Sequence, residues 1–293
     1  MGYQLWVSHV TGYRRKGTRF SALKDIFVNN VTAKSIFESL LCCPANSRAE
    51  DAKEALKIRE FDVAGVKETE DGDVTGYVVT GELTDGDLSL SVKKIDAGLL
   101  ISDSTPIAEI FSVLTNRNFA FVIYGNHITG IVTRADINKP PVRIYIFGII
   151  SLFEMHLNFW VKHFYSDNSW VDIVPEQRLE KAKEIYELRK GNNQDLSLLE
   201  CLELCDKRDI LAKSKEFREE FNMFRNLDSF MKGIEKIRNE LAHSQNSIIS
   251  NTEWAEFIKI VSNAEEFLTN SDNKVEAIAL EGNDFKDMLI PSV

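Results

Sequence analysis

The chain has 293 residues, which is long for a single hydrophobic core, so two domains are the default expectation. Hydrophobic residues make up 44% and charged residues 27%, which is normal for a globular protein. The net charge of −10 means that the surface as a whole does not attract nucleic acid, so any RNA contact requires a local basic patch.

The cysteines and the apolar runs indicate the cellular compartment in which the protein works. Cys42 and Cys43 are adjacent, and Cys201 and Cys205 lie one helical turn apart. Neither spacing matches a secreted disulfide framework or a paired zinc motif, so we expect reduced thiols and no metal site. The N-terminus lacks a signal-peptide pattern, and the most apolar run, Ile144–Phe153, is shorter than a membrane span. These patterns predict a cytoplasmic protein without a membrane segment.

Residues 1–30 are predicted to be an N-terminal extension. They contain the stretch GYRRKGTRF, in which four cations stand among aromatic residues. Such a stretch can grip a backbone phosphate and stack a base of RNA. The alternative is a solvated turn with one aromatic side chain anchored in the core.

An internal repeat marks the first half of the chain. One copy reads VTGYVVTGEL at Val74–Leu83, and the other reads ITGIVTRADI at Ile128–Ile137. A predicted helix and a short apolar strand precede each copy, and turns rich in Asp, Gly and Asn join the paired strands. The repeat therefore predicts two similar α+β units one after the other.

This repeat resembles a tandem pair of CBS domains over residues 31–139. The second copy carries GIVTRAD at Gly130–Asp136, which is similar to the signature that ends a CBS domain. The first copy departs from that signature, because Val79 stands where a hydroxyl is common and Glu82 replaces the aspartate. The resemblance implies a regulatory adenine nucleotide (AMP, ADP, ATP or a related signal) in the cleft between the copies.

The resemblance also assigns roles to individual residues. Thr133 would bond a phosphate or ribose oxygen beside a helix N-terminus, and Arg134 would face a phosphate. Asp136 would accept hydrogen bonds from both ribose hydroxyls, with Glu82 as its counterpart in the first copy. Two alternatives stay open: Thr133 and Asp136 only cap a helix, or the module serves only as a dimerisation platform.

The pattern of the sequence changes at Asn138–Pro141, where two prolines follow one another. Beyond this point long helical patterns dominate, so residues 142–270 are predicted to form an all-α bundle. Residues 271–293 are predicted to be an acidic tail. The predicted helices span residues 142–165, 175–190, 195–204, 207–221, 226–243 and 251–269.

One polar stripe interrupts the apolar first helix of this half. It consists of Ser151, Glu154, Asn158 and Lys162, which are three or four residues apart and share a face. The stripe either faces water or lines a cleft in which Glu154 pairs with a cation.

The stretch RNELAH near the end of a late helix carries the second candidate site. On a helical wheel, Arg238 falls inside the edge of the apolar stripe. Asn239 and His243 share a different face, about 100–140° away. One copy therefore does not converge on a single point, whereas a two-fold dimer could bring two copies together.

This motif resembles the R-x4–6-H motif of the HEPN superfamily. The resemblance implies a metal-independent endoribonuclease that leaves a 2′,3′-cyclic phosphate and needs no catalytic cofactor. His243 would be the acid or base, and Arg238 would bind the phosphate oxygens. Asn239 would orient the histidine or the phosphate. Glu154 would complete the site. The alternative is that Arg238 pairs with Glu154 and that His243 merely ends the helix.

These patterns together predict an α+β CBS pair followed by a HEPN-like bundle. The predicted function is an RNA-cleaving homodimer controlled by an adenine nucleotide, in stress or antiviral defence. RNA is the predicted nucleic-acid partner, rather than DNA. Two alternatives remain: a catalytically silent module that binds RNA or protein, and a toxin whose antitoxin is another chain.

Overall fold

The computed structural model describes residues 19–191, 197–222, 226–242, 247–249 and 252–281. The chain divides into two compact units. The sheet unit is Ile26–Val142, and the helical unit groups the described residues before Ile26 with those from Arg143 onward. The predicted order of an α+β half followed by a helical half is confirmed.

The sheet unit contains two small sheets with related topology. A four-stranded sheet has the order β1-β7-β6-β5, and a three-stranded sheet has the order β2-β3-β4. In each sheet a parallel strand leads through a helix to an antiparallel hairpin, which confirms the predicted repeat. The elements are α1 Phe20–Asn30, β1 Glu38–Ser39, β2 Cys42–Pro44, α2 Ala49–Ile58, β3 Val63–Lys67, β4 Val74–Val79, β5 Leu100–Ser102, α3 Ile107–Thr115, β6 Phe119–Tyr124 and β7 His127–Thr133.

Each repeat also contributes its first extended segment to the sheet of the other repeat. Strand β1 pairs antiparallel with β7 through Ser39 and Gly130, and Lys93 forms an antiparallel bridge with Tyr77 of β4. The repeated glycine is required where these segments cross. A Cβ on Gly130 would lie 2.1 Å from the ring of Phe37, far inside van der Waals contact.

The glycine of the first repeat, Gly76, likewise has no room for a side chain. A Cβ on Gly76 would lie 2.5 Å from Val92 Cγ1 and 2.8 Å from the carbonyl oxygen of Lys93. The Thr-Gly pair that defines the sequence repeat therefore marks the close approach of an extended segment from the other copy.

Helix α2 shows how the sequence pattern produces the packing in this unit. Its apolar positions Ala52 and Leu56 recur at helical spacing and are buried. They belong to the same core cluster as Val66 of β3 and Val78 of β4. The acidic residues at its N-terminal turn suit the positive end of the helix dipole.

The helical unit contains a long first helix and a longer last helix. Its core is aromatic, with Phe153, Trp160, Phe221 and Phe267 almost fully buried. The rings of Phe153 and Phe267 lie 4.9 Å apart, and those of Phe221 and Phe267 lie 4.8 Å apart. The helices are α4 Pro140–Phe164, α5 Glu176–Gly191, α6 Leu204–Lys213, α7 Lys215–Glu220, α8 Leu227–Ala242 and α9 Trp254–Glu281.

Two predicted helix boundaries in this unit are wrong. The predicted helix 207–221 is interrupted at Ser214, whose hydroxyl accepts a hydrogen bond from the backbone N–H of Phe217 and starts α7. Within the predicted helix 195–204, Leu198–Cys201 forms only a 3-10 helix, and an α-helix begins at Leu204.

The last helix is longer than predicted. Helix α9 continues to Glu281, so the proposed tail is helical from residue 271 to residue 281. Burial explains the extension. The Ser271 hydroxyl accepts a hydrogen bond from Trp160 Nε1 and lies 2.5 Å from Nδ1 of the buried His156. Residues 282–293 lie outside the described residues.

The end of the predicted N-terminal extension packs within the helical unit. Phe20 is buried, and its backbone N–H donates to Asp272 Oδ2 at 2.7 Å. Arg19 forms an ion pair with Glu276. This part of the stretch has the anchored aromatic that the alternative reading expected. The cations at residues 14–16 lie outside the described residues.

Helix α4, Pro140–Phe164, is long and apolar enough by length and composition to cross a membrane. However, 67% of its most apolar window is buried inside the protein. Burial of that extent is what the central helix of a helical bundle requires.

Candidate functional site

A cleft of about 500 Å³ opens in the sheet unit where the two repeats meet. Both repeats contribute to its walls, because the first strand of one repeat pairs with the last strand of the other. The predicted residues Thr133, Arg134 and Asp136 all line it. The other lining residues are Glu38, Ser39, Leu41, Glu60, Phe61, Asp62, Val63, Asn118, Phe119, Ile131 and Ala135.

Thr133 and Asp136 form a capping box where β7 runs into a short 3-10 helix, Arg134–Asn138. Asp136 Oδ2 accepts hydrogen bonds from the Thr133 backbone N–H at 2.6 Å and from Thr133 Oγ1 at 3.0 Å. The capping role is therefore real, and it fixes both side chains at the wall of the cleft.

Lys139 occupies the other oxygen of Asp136. Its Nζ lies 2.8 Å from Asp136 Oδ1 and also contacts Glu38 Oε1 and the carbonyl oxygen of Ile36. Burial alone would lower the pKa of Lys139, but hydrogen bonds and charge attraction to Asp136 and Glu38 outweigh burial and raise it. Lys139 thus ties the first strand of one repeat to the end of the other.

The geometry limits what Asp136 can offer a ligand. A carboxylate has about four acceptor positions, and Thr133 and Lys139 together occupy three of them. The Asp136 side chain is 7% exposed. It can therefore accept one further hydrogen bond, and the expected contact with both ribose hydroxyls requires Lys139 to move.

Arg134 lines the cleft, but its guanidinium is committed to the protein. Nε donates to the carbonyl oxygen of Leu114 at 3.0 Å, and Nη2 donates to that of Thr115 at 3.2 Å. These carbonyls end helix α3, where a cation is favourable. The expected contact of Arg134 with a phosphate competes with this helix cap.

An exposed aromatic side chain, Phe61, also lines the cleft. Phe61 is 44% exposed, and it follows Glu60, whose φ of +57° lies in the left-handed region. The Phe61 N–H donates to Leu56 and the Glu60 N–H donates to Lys57, which is the Schellman ending of α2. The helix ending therefore turns Phe61 toward the cleft that it lines.

Glu82, the predicted counterpart of Asp136, is not among the residues lining this cleft. It is 55% exposed and forms an ion pair with Lys93, on the segment that pairs with β4. The hydroxyl next to the first-copy signature belongs to Thr80, which donates to the Phe61 carbonyl oxygen at 2.6 Å. That hydroxyl is thereby engaged in the fold.

In the helical unit, Arg238 and Asn239 are both exposed on α8, and Arg238 Nη1 donates to Asn239 Oδ1 at 3.1 Å. The wheel placed Arg238 inside the apolar stripe, and the structure places it in solvent. The carbonyl oxygen of Leu241 accepts a hydrogen bond from Arg143 at 2.9 Å, which anchors the end of the helix. His243 lies outside the described residues.

Glu154 pairs with Lys207 and not with Arg238. Glu154 Oε1 lies 2.5 Å from Nζ of Lys207, whose side chain is only 1% exposed. Its stripe neighbour Asn158 is 8% exposed, so this face of the helix is not turned to water. Of the two readings left open for Glu154, the structure shows the one with a cation, but the cation comes from α6 and belongs to the core.

Sequence reasoning missed four other lining residues, Glu38, Glu60, Phe61 and Asp62, and Lys139 beside the cleft. These residues lie outside the repeated signature, and Glu38 reaches the cleft because its strand pairs with β7. The one sequence signal was Phe61, an aromatic residue between two acids just after an amphipathic helix.

Among the described residues, no group of three or more His, Cys, Asp or Glu side chains could hold a metal ion. The four cysteines are free, and burial raises the pKa of Cys43 and Cys205. Within the described part of the chain, these thiols are packed side chains.

No protein-family model matches the sequence. A comparison with curated proteins likewise gave no match. Among solved structures, a CBS domain-containing protein of unknown function from Bacillus anthracis is similar, with 15% identity and a TM-score of 0.34 over 39% of this chain and 94% of that chain.

Two solved forms of another CBS-pair protein are similar to a comparable extent. CBSX2 from Arabidopsis thaliana has 15% identity and a TM-score of 0.34 over 39% of this chain and 95% of that chain. The structure of CBSX2 in complex with AMP has 16% identity and a TM-score of 0.34 over 39% of this chain and 97% of that chain.

Proposed function

We propose that the sheet unit is a CBS-type sensor that binds an adenosine-containing ligand in the cleft between its repeats. The observation that carries the proposal is the joint presence of Thr133, Asp136 and the exposed ring of Phe61 in the lining of one cleft. A ring system needs an apolar slot, and a ribose needs a fixed acceptor, and this cleft offers both.

The proposed contacts follow from the chemistry of the residues that line the cleft. Phe61, with Leu41, Phe119 and Ile131, supplies the apolar surface for a purine ring. The remaining acceptor position on Asp136 Oδ1 takes one ribose hydroxyl. The capping box holds the Asp136 carboxylate in place before the ligand arrives, so the side chain loses little conformational freedom on binding.

Calorimetric titration of the full chain with adenosine, AMP and ATP tests this proposal. Asp136→Asn keeps the size of the side chain but removes the charge, and it is expected to weaken adenosine binding by at least about tenfold, the usual effect of losing a charge-assisted hydrogen bond. Glu70→Gln, an exposed carboxylate outside the cleft, is the matched control. Equal affinity in wild type, control and Asp136→Asn would remove the site from this cleft.

Because Asp136 also caps a turn, circular dichroism must accompany the titration. A second variant, Phe61→Ala, removes the proposed stacking surface from an exposed position, where loss of fold is not expected. If Phe61→Ala folds and binds adenosine as well as wild type does, the proposed purine slot is wrong.

As a second function, we propose that the helical unit is a metal-independent RNA-cleaving or RNA-binding effector of the HEPN type. The supporting observation is that Arg238 and Asn239 are exposed side by side on α8, five and four positions before His243 in the sequence. In the cleavage reaction, His243 would take the proton of an RNA 2′-hydroxyl. The resulting oxygen would attack the adjacent phosphate, and the 5′-oxygen of the next nucleotide would leave.

Within this proposal Arg238 binds the phosphate oxygens and stabilises the negative charge of the transition state. Asn239 orients Arg238, to which it is hydrogen-bonded. Glu154 acts at a distance by holding Lys207 in the core. Two such motifs from a homodimer would form the composite site that the single helix does not provide.

The test incubates the full chain with mixed RNA, with and without adenosine ligands, in the presence of EDTA. Cleavage that leaves 2′,3′-cyclic phosphates and is lost in Arg238→Ala and His243→Ala supports the nuclease. Lys232→Ala, an exposed cation on the same helix, is the matched control. RNA retention without cleavage would favour the silent binding module, and inhibition by a co-purified chain would favour the toxin alternative.

A further inference from the structure

The charge of the cleft does not suit a ligand that carries phosphates. Four of its lining residues are acidic, namely Glu38, Glu60, Asp62 and Asp136, whereas Arg134 is the one cation among them. Lys139 balances Glu38 and Asp136. Glu60 and Asp62 are exposed and form no ion pair within the described part of the chain.

The positive groups that would ordinarily receive a phosphate are already engaged. The guanidinium of Arg134 donates to the carbonyl oxygens of Leu114 and Thr115, and Lys139 bridges two carboxylates. The raised pKa of Lys139 reflects those two partners. A phosphate would have to break one of these contacts to gain a cation.

Two backbone N–H groups at the start of the 3-10 helix, those of Thr133 and Arg134, are also occupied. The N–H of Thr133 donates to Asp136 Oδ2 at 2.6 Å, and the N–H of Arg134 donates to the carbonyl oxygen of Asn118 at 3.3 Å. A carboxylate therefore stands where an anion would bind, and a phosphate placed there would meet like charge.

From this geometry we infer that the cleft selects adenosine-containing ligands whose 5′ substituent is neutral or positively charged, over nucleotides with 5′-phosphates. The inference rests on the proposed adenosine site and names its ligand class. Asp136 and Phe61 provide recognition of the nucleoside, and Glu60 and Asp62, the lining acids that no cation balances in the described part of the chain, provide the discrimination against phosphate.

The expected size of the effect follows from Coulomb interactions near a surface. A phosphate of about two negative charges facing two exposed carboxylates is expected to weaken binding by about tenfold relative to adenosine at low salt. Because such charges are screened within a Debye length of about 10 Å at 0.1 M salt, the difference shrinks as salt is added.

Calorimetric titrations of the full chain with adenosine, S-adenosylmethionine, AMP and ATP, at low and high sodium chloride, test the inference. Wild type is expected to bind adenosine and the positively charged S-adenosylmethionine about tenfold or more tightly than AMP and ATP at low salt. The double variant Glu60→Gln/Asp62→Asn is expected to narrow that ratio without weakening adenosine.

The matched control is Glu70→Gln/Asp71→Asn, a pair of exposed carboxylates on a turn of the same unit that does not line the cleft. The control is expected to keep the wild-type ratio. If ATP binds as tightly as adenosine at low salt, or if both double variants change the ratio equally, the charge selection is wrong while the adenosine site stands. If none of the four compounds binds, the adenosine site itself is wrong.

Discussion

Lys139 joins the two repeats at the edge of the cleft, so its removal is expected to loosen the sheet unit. Lys139→Met keeps the length and the apolar stem of the side chain but deletes the ammonium group. The substitution mainly affects Asp136, because its side chain is only 7% exposed and would be left without a cation. Glu38 is 66% exposed, so water can replace Lys139 there.

The magnitude follows from that asymmetry. A hydrogen bond to a charged group contributes roughly 1.5–3 kcal/mol, and only the bond to Asp136 is sheltered enough to count nearly in full. We therefore expect Lys139→Met to lower the free energy of local unfolding at the β1–β7 junction by about 2 kcal/mol, which corresponds to roughly 30-fold faster amide exchange.

Hydrogen exchange with mass spectrometry measures this locally in the full chain. The reporter is the amide of Leu40, which donates to the carbonyl oxygen of Thr129 at 3.1 Å, together with its neighbours on β1 and β7. Lys94→Met, an exposed lysine of the same unit, is the control. When Asp136→Asn is already present, adding Lys139→Met is expected to lower the free energy of local unfolding by less than about 2 kcal/mol, because the asparagine has no charge that needs a cation.

The pH dependence gives a second check on the same contact. The pKa of Lys139 is raised above its ordinary value of 10.5 in the folded protein. Its contribution is therefore fully present below that value and is lost as the pH rises through the folded pKa. A difference between wild type and Lys139→Met that fades between pH 6 and pH 9, or exchange equal to that of Lys94→Met, would refute the reasoning.

Three further changes probe the fold and the helical unit. Gly130→Ala is expected to destabilise the protein by about 3 kcal/mol through steric overlap, whereas Gly81→Ala, with open space around it, is expected to be neutral in thermal unfolding. Glu60→Gly is expected to stabilise by about 0.5–1 kcal/mol, because it removes the cost of a positive φ; a loss of stability in urea unfolding would contradict this. Glu154→Ala is expected to cost about 2–3 kcal/mol by leaving the buried ammonium of Lys207 unpaired; tryptophan fluorescence during urea unfolding reports it, and a neutral result would return Glu154 to a surface role.

The sequence repeat was informative because each of its features has a physical cause. The glycines at Gly76 and Gly130 recur because a strand from the other repeat crosses there without room for a Cβ. The predicted helices 142–165 and 175–190 agree closely with α4 and α5, because local apolar spacing determines both. Such spacing is a local feature, so the sequence alone revealed it.

The walls of the cleft were harder to predict because they depend on pairing between distant segments. Strand β1 reaches Asp136 only through its pairing with β7, and nothing near Glu38 in the sequence indicates that partner. Similarly, a wheel placed Arg238 inside an apolar stripe, although its long side chain extends into solvent. The helix break at Ser214 depends on one hydroxyl cap that a window of apolar residues does not reveal.

The cleft between the repeats is the proposed binding site for an adenosine-containing ligand. Hydrogen exchange of the full chain with and without saturating adenosine tests this site, because it reports which segments the ligand protects. Adenosine is expected to slow exchange mainly at residues 38–41, 60–63 and 131–136. Unchanged exchange at all three segments while adenosine binds, or protection confined to other parts of the chain, would show that adenosine does not bind in this cleft.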